Sequence, residues 1–252
     1  MRFGHRLGHR LAVPVAVIVA AAFLLTGGGR RHPSETPVPT IALHRNAQAG
    51  YFDPATTNPL FVLVLGSDIR QGDPRAGRAD AIQIVAVDTV NGRGTIVGIP
   101  RDSYVPIPGH GTSKINAAHY FGGPELMVAT VSQLTGIQFH YWAATEFSHF
   151  RNIVDALGGV DVNVPYKMAD QPSGAFFEPG PRHMNGAEAL AFSRNRKSVP
   201  GGDFGRSANQ GRLLVEAMRK FRAEANDPLR LGKFLITFHN EVVTNVPTAE
   251  LI

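Results

Sequence analysis

The sequence predicts an α/β protein, a layered α/β/α sandwich around a central mixed sheet, preceded by one N-terminal transmembrane helix. Three observations lead to this prediction. Short continuous apolar runs bounded by glycine or polar turns indicate buried strands. Longer segments with capping residues lie between those runs and indicate helices. A separate apolar run near the N-terminus has the length of a membrane span.

The N-terminal segment carries the membrane prediction. Residues 1–10 are basic, and we expect them to lie in the cytoplasm. Residues 11–29 include the apolar run LAVPVAVIVAAAFLLT and would span about 28 Å as a helix, close to a bilayer core. We predict an uncleaved signal anchor here, and the alternative is a cleaved signal peptide. Residues 30–58 resemble a polar, proline-containing linker. Residues 59–252 are predicted to form one extracytoplasmic domain, whose C-terminal end at AELI we expect to be truncated.

Five short apolar runs predict strands. The runs cover residues 59–65, 81–87, 94–99, 138–143 and 160–164. Asn91-Gly92 separates the second run from the third, and this dipeptide is typical of a tight hairpin turn. We therefore expect the second and third strands to pair antiparallel.

Four further segments predict the helices of the outer layers. They cover residues 124–134, 145–157, 186–192 and 204–225. Gly136 is a typical stop after the first segment, Thr145 can cap the second, and Asn185 can cap the third. Helices on a mixed set of strands give the layered sandwich.

The net positive charge is concentrated at the N-terminus. The chain has 25 basic and 20 acidic residues, but five arginines precede the first acid, Glu35. The remaining chain is neutral, which argues against nucleic acid as a partner. The sequence contains no cysteine, which excludes disulfides, thiolate metal sites and a cysteine nucleophile.

Basic side chains cluster around a single acid in the glycine-rich stretch SRNRKSVPGGDFGRSANQ, residues 193–210. The planar donor fork of arginine matches phosphate oxygens, so this cluster predicts a polyphosphate site. In an extended segment Arg194 and Arg196 would share a face. In a helix Arg206 and Gln210 would share a face one turn apart. The alternative is a solvated basic loop.

Charged residues also lie at the ends of three predicted strands. Asp68 follows the first in LGSDIR, Asp80 precedes the second in GRAD, and Arg101 and Asp102 follow the third in IPRDS. Two carboxylates beside a basic cluster suit a hard divalent cation, so Asp68 and Asp80 are predicted ligands of Mg²⁺ or Mn²⁺. Lys114 and Asn116 in SKINAAH can add phosphate donors. The alternatives are turn or salt-bridge roles for the acids and a simple helix start for SKINAAH.

Seven motifs occur in the order found in LytR-CpsA-Psr proteins, and residues 60–212 resemble that family. The motifs are GSDIR, GRADAIQIVAVD, IPRDSYV, KINAAHYFGG, DALGGVDVNVP, HMNGAEALAFSRNRK and GGDFGR. The resemblance implies a membrane-anchored phosphotransferase at the bacterial cell membrane, with its catalytic domain outside. Such proteins move a glycopolymer from an undecaprenyl-pyrophosphate carrier onto peptidoglycan, forming a phosphodiester at a muramic acid hydroxyl.

The resemblance also implies roles for individual residues. Asp68 and Asp80 correspond to the acids associated with magnesium and catalysis, and which of them is base or metal ligand stays open. The residues that hold the pyrophosphate, or support those that do, correspond to Arg101, Arg194, Arg196, Arg206, Asp203, Gln210, Lys114 and Asn116. One position departs from the family pattern, because Asn209 stands where a second arginine usually follows Arg206.

Two other functions fit the same residues. A pyrophosphatase would use the same site with water as the acceptor and release the lipid carrier. A non-catalytic module would only hold pyrophosphate lipids or cell-wall polymer.

Overall fold

A computed structural model of the chain describes residues 59–68, 77–88, 93–224 and 226–246. The predicted cytoplasmic segment, membrane anchor and linker lie outside these residues, as does the AELI end. Among the helices that are described, none has the length and apolar character needed to cross a membrane.

A mixed five-stranded sheet forms the centre of the fold. The strands in chain order are β1 (Leu60–Ser67), β2 (Ala79–Asp88), β3 (Arg93–Gly98), β4 (Tyr104–Ile107), β5 (Gly111–Lys114), β6 (Tyr141–Glu146), β7 (Val160–Val164), β8 (Met168–Asp170), β9 (Ala175–Phe177), β10 (Gly180–Met184) and β11 (Val243–Thr244). The central sheet has the order β11-β6-β1-β2-β3, and β4-β5, β7-β10 and β8-β9 form two-stranded ribbons. β1 and β6 are parallel, whereas the other neighbours in the central sheet are antiparallel.

Helices surround this sheet. They are α1 (Asn116–Thr135), α2 (Phe147–Ala156), α3 (Gly186–Arg194), α4 (Asp203–Glu224) and α5 (Pro228–Glu241). α1 is broken where Gly122 and Gly123 leave helical geometry, and Pro124 restarts it because its fixed φ suits a first turn. α3 begins with a capping box between Asn185 and Glu188.

The two faces of the sheet carry different layers because side chains alternate along each strand. Phe61, Leu63 and Leu65 face α1 and the β4–β5 hairpin, in one apolar cluster with Val105, Ile107, Met127 and Val131. Leu60 and Val62 face the other way and pack with Leu214 of α4. α2, α3 and α5 lie on this second side with α4, and together they enclose an apolar cavity against the sheet. The layered α/β arrangement is confirmed, whereas the transmembrane helix lies outside the described residues.

The predicted strands and most predicted helices are confirmed. The pairing of Asp88 with Arg93 also confirms the β2–β3 hairpin, although its Asn91-Gly92 turn is not among the described residues.

Three features differ from the prediction. The cap assigned to Thr145 is wrong, because this residue lies in β6 and its hydroxyl donates to the carbonyl of Glu241 at 3.0 Å. Helix α5 and the short strands β4, β5 and β8–β11 were not predicted, and β7 pairs with β10 outside the central sheet.

A buried carboxylate holds the loop that follows α3. Asp170, at the end of β8, is 2% exposed and accepts the backbone N–H groups of Arg196 at 2.9 Å and Lys197 at 3.2 Å. Burial raises the pKa of Asp170, but these two N–H groups and nearby positive charge outweigh it, so its pKa is lowered. The ionised carboxylate therefore fixes the backbone of the arginine-rich loop.

We expect Asp170→Asn to lower the free energy of unfolding at pH 7 by about 1.5–3 kcal/mol, the range for hydrogen bonds to a charged group. Because the folded pKa lies below the unfolded value of about 3.9, this stabilisation exists above that pH and is lost as pH falls through the folded pKa. Urea unfolding of both proteins from about pH 6 to about pH 2 should show the difference shrinking on acidification. The control is Asp161→Asn, an exposed acid on β7, which should change stability little. A difference that stays constant with pH would contradict this account.

Candidate functional site

Neighbouring strand ends bring the predicted charged residues to one edge of the sheet. β1 ends and β2 begins at this edge, with Ser67 opposite Ala79, so Asp68 and Asp80 flank paired positions. The ladder between β2 and β3 continues past β3, since the N–H of Ile99 donates to the carbonyl of Ile82 at 2.9 Å. That extension carries Arg101 to the side of Asp80. The antiparallel order of the three strands therefore builds the start of the site.

Arg101 and Asp80 form an ion pair at the centre of this edge. Burial lowers the pKa of Arg101, but the charges of Asp80, Asp102 and Asp203 outweigh it, and the net pKa is raised. The Nε atom of Arg101 is buried without a hydrogen-bond partner. This guanidinium is thus fixed, charged and able to donate to an anion.

The first turn of α4 adds a second buried ion pair, between Arg206 and Asp203. Burial lowers the pKa of Arg206, and the like charge of Arg101 lowers it further, against the opposing effect of Asp203 and Asp80. The Nε of Arg206 is buried without a hydrogen-bond partner. Arg101 and Arg206 each have an Nε donor without a partner, and their combined positive charge attracts phosphate strongly.

Asp102 connects two further cations to the edge. It bonds Lys114 at 3.1 Å and Arg196 at 3.2 Å. Burial raises the pKa of Asp102, but Lys114, Arg101 and Arg196 outweigh this effect and lower it. Lys114 of β5 and Arg196 of the loop after α3 therefore meet through one carboxylate, which the sequence did not single out as a site residue.

Two glutamines join the sheet to the helices behind it. The amide nitrogen of Gln210 donates to the backbone carbonyl of Asp80 at 3.2 Å and to that of Ser193 at 3.4 Å. Gln83 of β2 donates to Gln210 at 3.4 Å and to the carbonyl of Ser207 at 3.1 Å. Gln210 and Arg206 thus both lie on the side of α4 that faces Asp80, as their one-turn spacing predicts.

Arg194 does not share a face with Arg196, so that prediction is wrong. Arg194 is the last residue of α3, and its guanidinium lies 5.0 Å from the ring centroid of Phe147. The chain leaves the helix after it and turns Arg196 toward Asp102 instead. The two arginines consequently lie on different sides of the site, one by Phe147 and one by Asp102.

Asp80, Arg101 and Arg206 form what we call the charged edge. An apolar cavity of about 190 Å³ lies behind it. It runs between the sheet and helices α2, α3, α4 and α5. Its apolar walls include Val62, Val64, Phe150, Ile153, Leu190, Leu214, Ala217 and Phe238. Its polar lining comes from Gln83, Ser193, Gln210 and Glu146, and Phe147 beneath Arg194 also lines it. The site therefore joins clustered positive charge to an apolar interior.

Asn116 and Asp68 are placed less centrally than the sequence predicts. The side chain of Asn116 is buried, and its backbone N–H donates to the carbonyl of Arg101 at 3.2 Å, so it supports the Arg101 backbone. Asp68 is exposed at the end of β1.

Asn209 follows Arg206 by three residues in α4, but its side chain has different partners. Its amide is buried, donates to the Tyr166 hydroxyl at 2.8 Å and accepts from Arg212 at 2.8 Å. Burial raises the pKa of Tyr166 against the effects of Asn209 and Arg212, so the phenol stays neutral. The position where the family pattern has an arginine is therefore occupied here by a structural amide.

Sequence reasoning named Asp102 only as a charged residue at a strand end, and it missed Gln83, Asp170 and Phe147. Asp102 is adjacent to Arg101 in IPRDS, and that adjacency was the one available indication. The other three act through partners far away in the chain, and no local pattern marks them.

The chain is similar to known proteins of one family. The sequence pattern of the LytR_cpsA_psr family matches residues 32–252. The polyisoprenyl-teichoic acid–peptidoglycan teichoic acid transferase TagU of Bacillus mycoides (strain KBAB4) is 38% identical over 191 residues, which cover 75% of this chain and 61% of that relative. The chain thus spans about three fifths of the length of the curated relatives it matches.

Solved structures show the same fold. The crystal structure of B. subtilis TagV matches with a TM-score of 0.67 and 30% identity, covering 76% of each chain. The structure of TagT bound to LI-WTA matches with a TM-score of 0.63 and 28% identity, covering 81% of this chain and 75% of that one. The resemblance of the seven sequence motifs is confirmed, and this chain belongs to the LytR_cpsA_psr family.

Proposed function

We propose that this chain is a phosphotransferase that moves a glycopolymer from an undecaprenyl-pyrophosphate carrier onto a muramic acid hydroxyl of peptidoglycan. One observation carries the proposal: Gln210 lines an apolar cavity and also bonds the carbonyl of Asp80, which pairs with Arg101 of the arginine cluster. A lipid pyrophosphate has a charged head, which suits the arginine cluster, and a long apolar tail, which suits the cavity. The names of the relatives, which include polyisoprenyl-teichoic acid and peptidoglycan, support this substrate class.

The charged edge would hold the pyrophosphate. Arg101 and Arg206 have buried Nε donors without partners, and Arg196 is shared with Asp102 at the rim. Each charged hydrogen bond contributes about 1.5–3 kcal/mol, so three arginines hold a pyrophosphate firmly. Arg194, beside the cavity lining at Phe147, would contact the phosphate nearest the lipid.

The apolar cavity would receive the first part of the polyprenyl chain. Burial of hydrocarbon contributes about 0.8 kcal/mol per methylene group, so even a short section of chain adds affinity. A carrier of this kind resides in a membrane, which agrees with the anchor predicted at residues 11–29. The domain would work at the outer surface of the cytoplasmic membrane.

The reaction needs positioning and charge neutralisation more than covalent help from the protein. The acceptor hydroxyl oxygen forms a bond to the phosphorus that bears the polymer, and the bond from that phosphorus to the lipid phosphate breaks. The electron pair leaves with the lipid phosphate, whose negative charge Arg101 and Arg206 stabilise. The proton of the hydroxyl passes to a carboxylate, and we assign this role to Asp80 because it lies at the centre of the arginine cluster.

Asp68 and Asp80 would also hold Mg²⁺ or Mn²⁺. The described residues contain no group of three or more His, Cys, Asp or Glu side chains arranged for a metal. Mg²⁺ in phosphoryl-transfer sites usually takes one or two carboxylates and completes its shell with substrate phosphate and water. Two aspartates at adjacent strand ends fit that donor set. Such an ion would neutralise charge on the phosphate oxygens.

Two alternatives use the same site. A pyrophosphatase would release the polymer phosphate into solution with water as acceptor. A non-catalytic module would bind the lipid and yield no product. Mass spectrometry of a purified lipid-pyrophosphate complex with Mg²⁺, with and without a peptidoglycan fragment, separates the three. Polymer covalently attached to the fragment supports the transferase, and release without attachment contradicts it.

We expect Asp80→Asn to reduce polymer transfer by about 100-fold or more, the usual loss when a general base is removed. Binding of the lipid pyrophosphate in the absence of a divalent cation should persist, because the arginines remain. Transfer is measured by mass spectrometry and binding by calorimetry in detergent. Asp161→Asn, the same chemical change at an exposed acid on β7, is the matched control and should retain activity. Full activity of Asp80→Asn would contradict the role of this carboxylate.

We expect Ala217→Phe to weaken binding of the polyprenyl pyrophosphate by about tenfold or more, because the ring occupies the cavity and displaces two or three methylene groups. Binding of inorganic pyrophosphate should not change. Ala223→Phe places the same ring at an exposed position of α4 and is the control. Equal loss of both ligands, or of neither, would show that the cavity does not hold the lipid.

A further inference from the structure

The β4–β5 hairpin presents one exposed face beside the charged edge. Val105 and Ile107 of β4 are buried against α1, so the alternate residues point outward. The outward positions form two directly opposite cross-strand pairs, Tyr104 with Lys114 and Pro106 with Thr112. We refer to these four residues as the hairpin face. The Tyr104 residue is 74% exposed, although tyrosine is large and half apolar.

The hairpin face continues directly from the charged edge. Tyr104 is three residues after Arg101, and its partner Lys114 bonds Asp102 at 3.1 Å. Directly opposite side chains on one face of a ribbon are neighbours, so the Tyr104 ring lies beside the network that includes Arg196. The exposed ring therefore lies next to the proposed pyrophosphate site and not on a distant surface.

Aromatic rings also lie at the far end of the hairpin. His110 in the turn stacks on Phe121 of α1 with ring centroids 4.7 Å apart, and Tyr120 contacts Phe121 edge-on at 5.8 Å. A strand rises about 3.3 Å per residue, so β4 runs roughly 10 Å from Tyr104 to Ile107. That length suits a short oligosaccharide. Sugar rings present apolar C–H groups to aromatic faces and hydroxyls to polar groups such as Thr112 and Lys114.

The direction of the reaction decides which saccharide lies there. In the proposed reaction the lipid phosphate is the leaving group, and its chain would occupy the cavity on the α4 side of the sheet. In phosphoryl transfer the attacking and leaving oxygens lie roughly in line, so the acceptor hydroxyl approaches from the side away from the cavity. The β4–β5 hairpin packs on that other side of the sheet, with α1.

We propose that the hairpin face binds the glycan strand of the peptidoglycan acceptor, with Tyr104 stacking on a sugar ring next to the reacting hydroxyl. This inference rests on the proposed transferase function. It adds the position of the second substrate, and Tyr104 becomes a residue that determines acceptor affinity.

The test uses the full chain and a soluble peptidoglycan fragment of alternating N-acetylglucosamine and N-acetylmuramic acid. Tyr104→Ala should raise the acceptor KM by about tenfold, the value of one aromatic stacking contact, and leave the KM for the lipid donor unchanged. Tyr104→Phe keeps the ring and should stay near the wild type. Leu229→Ala on α5 removes another exposed apolar side chain, 85% exposed, and should not affect either KM.

A second measurement separates this inference from the proposed function. Binding of the same fragment to the protein without lipid donor is followed by nuclear magnetic resonance or calorimetry. Weaker fragment binding by Tyr104→Ala supports the hairpin face even if the wild type transfers no polymer, a result that would contradict the transferase alone. An unchanged acceptor KM with unchanged fragment binding overturns the inference. A raised donor KM with an unchanged acceptor KM also overturns it, because the donor polymer would then occupy the hairpin face.

Discussion

Crowding of like charge between Arg101 and Arg206 is the constraint on which the site depends. The two guanidinium groups come from the turn after β3 and from α4, and the charge of Arg101 lowers the pKa of Arg206. They can remain together because Asp80 pairs with Arg101 and Asp203 pairs with Arg206. The two positive charges repel each other, and a bound anion would reduce that repulsion. A pyrophosphate, with several oxygens for the same donors, is the kind of ligand that gains most from this arrangement.

The sheet separates the two halves of the proposed reaction. Because side chains alternate along β2, Gln83 contacts α4 and Ile82 packs in the cluster with α1. The strand therefore contacts the helical layers on both sides of the sheet. The backbone carbonyl of Asp80 is held by Gln210 from the α4 side, while its carboxylate pairs with Arg101, which leads into the hairpin. In the proposed reaction a lipid would enter on one side, and an acceptor would reach the phosphorus from the other. The position of Asp80 between them fits a carboxylate that receives the proton of the incoming hydroxyl.

The sequence could predict the parts of the fold and site that depend on local patterns. Continuous apolar runs identified β1, β2, β3, β6 and β7, and a one-turn spacing placed Arg206 beside Gln210. The rest depends on tertiary contacts. Arg194 belongs to α3 and not to an extended segment, because the helix continues to that residue and Asp170, from a distant ribbon, holds the next turn of chain. Strands of two to four residues, such as β11 and β8, are too short to produce a pattern.

Asn209 shows how the departure from the family pattern is accommodated. A second arginine at this position would be buried beside Arg212, and the contacts of Asn209 are with Tyr166 and Arg212, not with an acid. An amide satisfies both neighbours, since it donates to the phenol and accepts from the guanidinium. Removing one cation also lowers the repulsion in a site where Arg101 already disfavours the charge on Arg206. In the proposed site, the arginines with acidic partners, Arg101, Arg196 and Arg206, would still contact phosphate, so the proposal does not require the family's usual arginine.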